Sequence, residues 1–183
     1  VIAMASSGLH SNGYSLARRV LLDEEGPGLD ATPAHLGRTI GEELLEPTRI
    51  YTADCLALAR SEVPVHAFSH ITGGGLAANL ARVLPPGLAV DIDRATWRPQ
   101  PIFDLIASLG AVPAAEMEKT FNMGIGMAAI VPAAAAEAAL ALLQSRGVGA
   151  WVAGSVRAAH PGEAGDADAK GGSGGVARVI GVH

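Results

Sequence analysis

Apolar positions recur along the chain at two periods, and the alternation between them sets the expected order of elements. Short runs of apolar and β-branched residues bounded by Gly, Pro, Ser or Asn predict strands at Val1–Ala5, Val65–Ile71, Leu88–Asp93, Gly126–Val131, Ala150–Val156 and Val176–Val182. Apolar residues three and four apart predict helices over Ser11–Leu22, Ala34–Leu45, Tyr51–Arg60, Ala77–Leu84, Ile102–Leu109, Glu116–Phe121 and Ala133–Ser145. The last has Pro132 ahead of it and Gly147 beyond it, the residues expected where a helix starts and stops. Strands and helices mixed in this way predict an α/β or α+β layered sandwich and not a helical bundle.

One stretch breaks the pattern. "RAAHPGEAGDADAKGGSGG", Arg157 to Gly175, is rich in Gly, Ala and acidic residues and has almost no large apolar side chains, so burial offsets little of its ordering entropy. A mobile loop is expected there, joining two flanking strands that pair with each other. The other end opens directly on an apolar strand-like run without an initiator Met, and reads as a piece of a longer chain.

Composition narrows the function classes. With 183 residues and 49% apolar content the chain can build one core, and one domain is expected over residues 1–183. A net charge of −5, with no stripe of Lys and Arg interleaved with aromatics, argues against a nucleic-acid partner. No apolar segment reaches the ~18 residues of a membrane span, so no membrane partner is expected. The single cysteine, Cys55, cannot form an intrachain disulfide, which suits a reducing, cytoplasmic setting.

Two turns concentrate hydrogen-bonding capacity. "ASSGLHSNGYSL" (Ala5 to Leu16) and "HITGGGLAANLARVLP" (His70 to Pro85) each run from a predicted strand through a polar or Gly-rich turn into a predicted helix. Such a turn aims unpaired N–H groups and the positive end of the helix dipole at whatever sits there, which makes both candidate anion sites. In the first, Ser7, Gly8, Ser11, Asn12 and Gly13 are the candidates, with Ser11 or Asn12 capping the helix. In the second they are Thr72, Gly73, Gly74 and Gly75. The plainer reading is that Gly marks a tight turn and Ser or Asn only caps; "GGG" is neither the P-loop nor the dinucleotide pattern.

Histidine adds the remaining chemistry. His10 lies in the first turn, with a charge that changes near neutral pH, and is the candidate catalytic residue. His66 and His70 stand four residues apart on a predicted strand, about 13 Å, too far to share an ion, and no metal site is predicted. His70, at the strand end, is within reach of the second turn. In "EMEKTFNMGIGM", Asn122 is a candidate ligand contact, and Glu118 is either a Mg²⁺ contact or an ion-pair partner of Lys119 or an arginine; Met123 and Met127 read as core. "LLEPTRIY" offers Thr48 and Tyr51 as further site or interface candidates, with Arg49 an anion contact or a solvated side chain.

Four of these stretches, "SSGLHSNGYSLARRV", "LLEPTRIY", "HITGGGLAANLARVLP" and "EMEKTFNMGIGM", together resemble the C-terminal half of phosphoribosylformylglycinamidine cyclo-ligase, also called aminoimidazole ribonucleotide synthetase. The resemblance covers nearly the whole chain outside the Gly/Ala/Asp stretch. It implies an α+β domain with a layered α/β/α sandwich, partly ferredoxin-like. It also implies an ATP-dependent ligase of purine biosynthesis that closes the imidazole ring of formylglycinamidine ribonucleotide, with ATP as co-substrate and Mg²⁺. In that family the enzyme is a homodimer of two-domain subunits whose N-terminal half carries an acidic, Gly-rich nucleotide and metal motif. No counterpart of that half is found in this sequence, so ATP and Mg²⁺ are expected to be held largely by an N-terminal partner half, and this chain alone is expected to be inactive. Two other readings remain open, a non-catalytic binding module and a domain of a sister ATP-dependent phosphoryl-transfer enzyme.

Overall fold

A computed structural model describes residues 1–169 and 171–183. Its strands are β1 (Ile2–Ala5), β2 (Ala67–His70), β3 (Leu88–Asp93), β4 (Ile125–Ile130), β5 (Ala150–Val152), β6 (Gly154–Ala158) and β7 (Val176–Ile180). Its α-helices are α1 (Tyr14–Leu22), α2 (Ile40–Leu44), α3 (Thr52–Ala59), α4 (Gly75–Val83), α5 (Pro101–Leu109), α6 (Ala114–Thr120) and α7 (Ala136–Ser145). Strands and helices therefore mix as the hydrophobic pattern predicts, and they form two sheets. One has the order β2-β4-β1-β5 and the other β6-β3-β7.

Burial explains the strand sequences. In β1, Ile2 and Met4 pack with α3 and α7 while Ala3 packs with α4 and the second sheet, so both faces are covered and no polar residue alternates. A third cluster joins α1, α5 and α6 around Phe103 and Phe121, whose rings meet edge to face at 5.9 Å. Among the described residues no helix is long and apolar enough to cross a membrane.

Several expectations are corrected. The run Ala150–Val156 is not one strand: it breaks at Ala153, which accepts from the Asp93 amide and donates to Val1 O, so β5 joins the first sheet and β6 the second. A side chain at Gly154 would meet Asp91 O at 2.0 Å, which is why the bend carries glycine. The strands flanking Arg157–Gly175 do not pair with each other; β3 lies between them, antiparallel to β6 and parallel to β7. The connecting segment has anchors of its own. Arg157 binds Asp91 and Glu163, and the Asp166 amide donates to Ala177 O. Lys170, within that segment, lies outside the described residues. The helix expected over Ala34–Leu45 shrinks to Ile40–Leu44. Gly37 is left-handed (φ +68°), and Thr39 opens the helix afresh through reciprocal bonds with Glu42.

The topology positions the candidate turns. β1 and β2 are both antiparallel to β4, which lies between them, so the two run in the same direction and deliver their C-terminal ends to one edge of the sheet. The start of β4 arrives at that edge from the opposite direction.

Candidate functional site

Three segments meet at this edge: Ser6–Gly13 after β1, Thr72–Gly75 after β2, and Asn122–Gly124 before β4. Asn12 reaches from the first to the second, since a Cβ on Gly73 would stand 3.2 Å from Asn12 Nδ2. The third is tied to the first by the Ser6 amide, which donates to Gly124 O at 2.9 Å. Gln100 Nε2 donates to Ser6 O at 2.9 Å from the other side.

Both helices begin from a left-handed glycine. Gly13 (φ +86°) precedes α1 and Gly74 (φ +99°) precedes α4; no side chain caps either. Ser11 and Asn12 are therefore not caps. Ser11 is exposed and Asn12 leans towards the second turn. Glycine is required at these entrances for space as well as for φ. A Cβ on Gly13 would meet Phe121 Cε1 at 2.2 Å, and one on Gly75 (φ +70°) would meet Glu118 O at 1.6 Å. Neither first turn contains an acidic residue. No carboxylate of their own first turns therefore opposes the dipoles of α1 and α4, and their first amides have no acceptor within the helix.

The second turn is tied down by Asn79, fully buried on α4. Its Nδ2 donates to Thr72 O at 3.1 Å and Gly75 O at 2.7 Å, while Thr72 Oγ1 bonds Asn79 Oδ1 at 3.1 Å. The Gly74 amide donates to Lys119 O and that of Gly75 to Thr72 O, which leaves Leu76 and Ala77 to offer N–H groups. Nothing in the sequence reading pointed to Asn79. The available signal is a lone amide side chain inside an otherwise apolar helical face, four residues after the last glycine.

Asn122 departs from its expected role. It is 3% exposed, its Nδ2 donates to Gly8 O at 2.9 Å and Leu9 O at 3.1 Å, and its Oδ1 accepts from the Gly124 amide at 2.8 Å. With both donors and its oxygen engaged by backbone, it holds two segments together. Glu118 takes the ion-pair alternative, and the arginine is Arg94: both carboxylate oxygens accept from that guanidinium, at 2.7 and 2.8 Å. Lys119 pairs with Glu116.

His10 is 7% exposed and itself left-handed, at φ +57°. Its Nε2 lies 3.1 Å from the Ser7 amide. A backbone amide can only donate, so Nε2 accepts and the neutral ring carries its proton on Nδ1. The Ser7 hydroxyl, 3.2 Å from the same nitrogen, donates to Pro47 O at 2.6 Å. Nδ1 is buried and has no partner among the described residues. A buried donor without an acceptor is uncommon. Burial pushes the His10 pKa below its ordinary value, and the nearby His70 adds to the effect.

Tyr51 and His70 continue from His10 as a row of rings, with centroids 6.2 Å apart and then 6.4 Å. Tyr51 is buried and donates from its hydroxyl to Ala5 O at 2.7 Å. His70 is exposed at the end of β2. Thr48 is exposed, and with Arg49, Tyr51 and His70 it lines an apolar cavity of about 480 Å³ beside the first turn. Met123 and Met127 pack against the core as expected. Glu43 was not anticipated. It is 8% exposed, bound to Arg38, and its carboxylate comes within 3.5 Å of where a Gly8 Cβ would stand. Among the described residues no group of three His, Cys, Asp or Glu is arranged to hold a metal ion.

Comparison with known proteins identifies the family. A family model described as "AIR synthase related protein, C-terminal domain" matches residues 1–166. A Streptomyces fradiae protein provisionally named phosphoribosylformylglycinamidine cyclo-ligase is 64% identical over 85% of this chain and 85% of its own length. Proteins named phosphoribosylformylglycinamidine cyclo-ligase from Symbiobacterium thermophilum and Anaeromyxobacter sp. strain K are 52% and 51% identical, over 88% and 90% of this chain. The chain spans about half the length of these two, 46% and 47%. With the family model matched over most of its length, the chain belongs to the AIR synthase related protein family as its C-terminal domain.

Proposed function

We propose that this chain is the phosphate-orienting half of an ATP-dependent cyclo-ligase that converts formylglycinamidine ribonucleotide to aminoimidazole ribonucleotide, releasing ADP and phosphate. The observation that carries the reading is the convergence of two helix N-termini, α1 and α4, at one sheet edge with no acidic residue in either first turn. One exposed helix terminus stabilises an anion by only ~0.3–1 kcal/mol, whereas two aimed at one place, with backbone N–H groups beside them, can fix a phosphate's position. Phosphoryl transfer asks a protein mainly for positioning and charge stabilisation, which is what this edge is built to supply. ATP supplies the phosphoryl group that activates the formyl oxygen for attack by the amine nitrogen.

In this reading Ser7, Gly8, Ser11, Asn12 and Gly13 form one wall of the phosphate cradle and Thr72, Gly73, Gly74 and Gly75 the other. His10 stands at the first wall as the proton-bearing group, while His70, Tyr51 and Thr48 form its margin. The acidic side chains nearest the cradle do not fit a Mg²⁺ ion, because Glu43 and Glu118 are already paired with Arg38 and Arg94. Metal ligands therefore come from an N-terminal half, which this chain meets as its partner within a homodimer in the cytoplasm. The partly ferredoxin-like α/β/α arrangement belongs to the same proposal, supported by helices packed on both faces of the four-stranded sheet.

The test is reconstitution. This chain and the N-terminal half of the Symbiobacterium thermophilum relative are expected to be inactive apart and to form aminoimidazole ribonucleotide together, with His10→Gln lowering kcat by about 10²-fold or more. In parallel, inorganic phosphate is expected to shift the amide resonances of Tyr14–Leu16 and Leu76–Ala77 in this chain. Ring closure by this chain alone, or phosphate shifts confined to other segments, would refute the reading.

A further inference from the structure

The pairing of β1 with β4 slips by one residue at the site: Met4 is opposite Met127, but Ala5 is opposite Ile125. Gly126 is the extra residue of a bulge. Bulges loosen the local ladder and re-aim what lies beside them, and beside this one the carbonyl of Ala5 accepts from Tyr51 Oη. The space above Gly126 is not empty. A Cβ there would lie 2.0 Å from Tyr51 Oη and 2.7 Å from His10 Cε1, both closer than real Cβ contacts come. Glycine is needed at 126 because two side chains from other segments occupy the place of its own.

We propose that Gly126 is a positioning residue for His10. Its missing side chain leaves a slot, walled by the Ala5-tethered Tyr51 ring, that holds the imidazole with Nε2 on the Ser7 amide and Nδ1 as the proton-bearing nitrogen. The inference rests on the reading of His10 as the proton-bearing group of the phosphate cradle, and extends it to what fixes that ring's tautomer. The groups facing His10 are the Ser7 amide and hydroxyl and Tyr51, with His70 and Arg49 beyond the Tyr51 ring and Glu43 beside Gly8. Among these only Ser7 bonds the ring. The tautomer is therefore set by one contact, and the slot keeps that contact in register.

The experiment is a histidine NMR titration of the full chain, without ligand, reading the ring ¹⁵N and ¹³C shifts of His10. Wild type is expected to show the Nδ1–H tautomer and a pKa below the ordinary value. Gly126→Ala displaces the ring, so the tautomer moves towards the mixture of a free imidazole and the pKa rises towards its ordinary value. Gly154→Ala is the control, because its Cβ would strike Asp91 O at the same 2.0 Å in the other sheet. It is expected to lower stability without moving the His10 signals. Tyr51→Phe keeps the ring volume and cuts only the tether to Ala5, so it folds and shifts His10 in the same direction by less. Unchanged His10 signals in folded Tyr51→Phe or Gly126→Ala, or equal movement in Gly154→Ala, would overturn the proposal. Because no phosphate is present, failure here is separate from failure of the cradle itself, which the phosphate titration reads.

Discussion

Replacing Asn122 with Ala tests what holds the site together. The side chain makes three hydrogen bonds to backbone, two of them joining segments more than 110 residues apart in sequence. At about 1 kcal/mol net for each bond, and with the carbonyls of Gly8 and Leu9 left buried, the loss amounts to about 3 kcal/mol. A domain with about 5–15 kcal/mol of stability remains folded after that loss, so it can be measured at equilibrium. With a urea slope of about 2 kcal/mol/M, the midpoint is expected to fall by about 1.5 M at unchanged slope. Asn122→Asp separates donors from volume, since it keeps the size and loses both N–H bonds. A carboxylate buried against two carbonyl oxygens has its pKa raised above the ordinary ~3.9. The protonated form is then favoured in the fold, so this variant's stability relative to wild type is greatest below pH ~4 and is lost as pH rises through the raised value. A midpoint shift under about 0.5 M for Asn122→Ala, or a pH-independent Asn122→Asp, would refute the assignment of these bonds as the tie between the turns.

Three further outcomes are expected. Gly75→Ala and Gly87→Ala both place a side chain at a left-handed φ, but nothing lies within 4 Å of a Cβ at 87 while Glu118 O lies 1.6 Å from one at 75. Urea midpoints should show about 1 kcal/mol lost at 87 and about 3 kcal/mol or more at 75; equal losses would deny the close approach of α4 and α6. His10, with its folded pKa depressed, contributes stability that is present above about pH 6.5 and is lost as pH falls through the lowered value; His10→Gln should flatten that part of the Tm–pH curve, and parallel curves would count against a buried neutral ring. Leu45 and Ile50 are 81% and 80% exposed on either side of Pro47, so Leu45→Ser/Ile50→Ser should reduce hydrophobic-dye binding and any self-association in sedimentation, and unchanged values would exclude this patch as the adhesive surface.

Elements whose signals are local are legible in the sequence. Leu88–Asp93 is a strand over the expected residues, and the helix before Gly147 ends where that glycine turns left-handed. Both polar turns lie at one edge because β1 and β2 share a direction, a relation that strand-turn-helix order alone can suggest. What the chain concealed is what depends on partners distant in sequence. Nothing in "AWVAGSV" says that Ala153 passes the strand from one sheet to the other, and nothing in "GIGM" says that Gly126 is an extra residue in a ladder. Asn79 drew no notice and Asn122 read as a ligand contact, because an amide has the same donors whichever it meets. Glu118 had two equal prospects until the fold brought Arg94, 24 residues away, to its carboxylate.

β3 is covered by β6 on one side and by β7 alone on the other, so without Val176–Ile180 the row of peptide groups along Leu88–Asp93 is open on that side. An open strand edge is a template for pairing with other chains. A product shortened to the 166 residues matched by the family model would keep the two helix-terminal turns and lose β7. Its open edge would invite pairing with neighbouring chains, so β7 guards β3, and its loss is expected to show first as aggregation and not as damage to the turns.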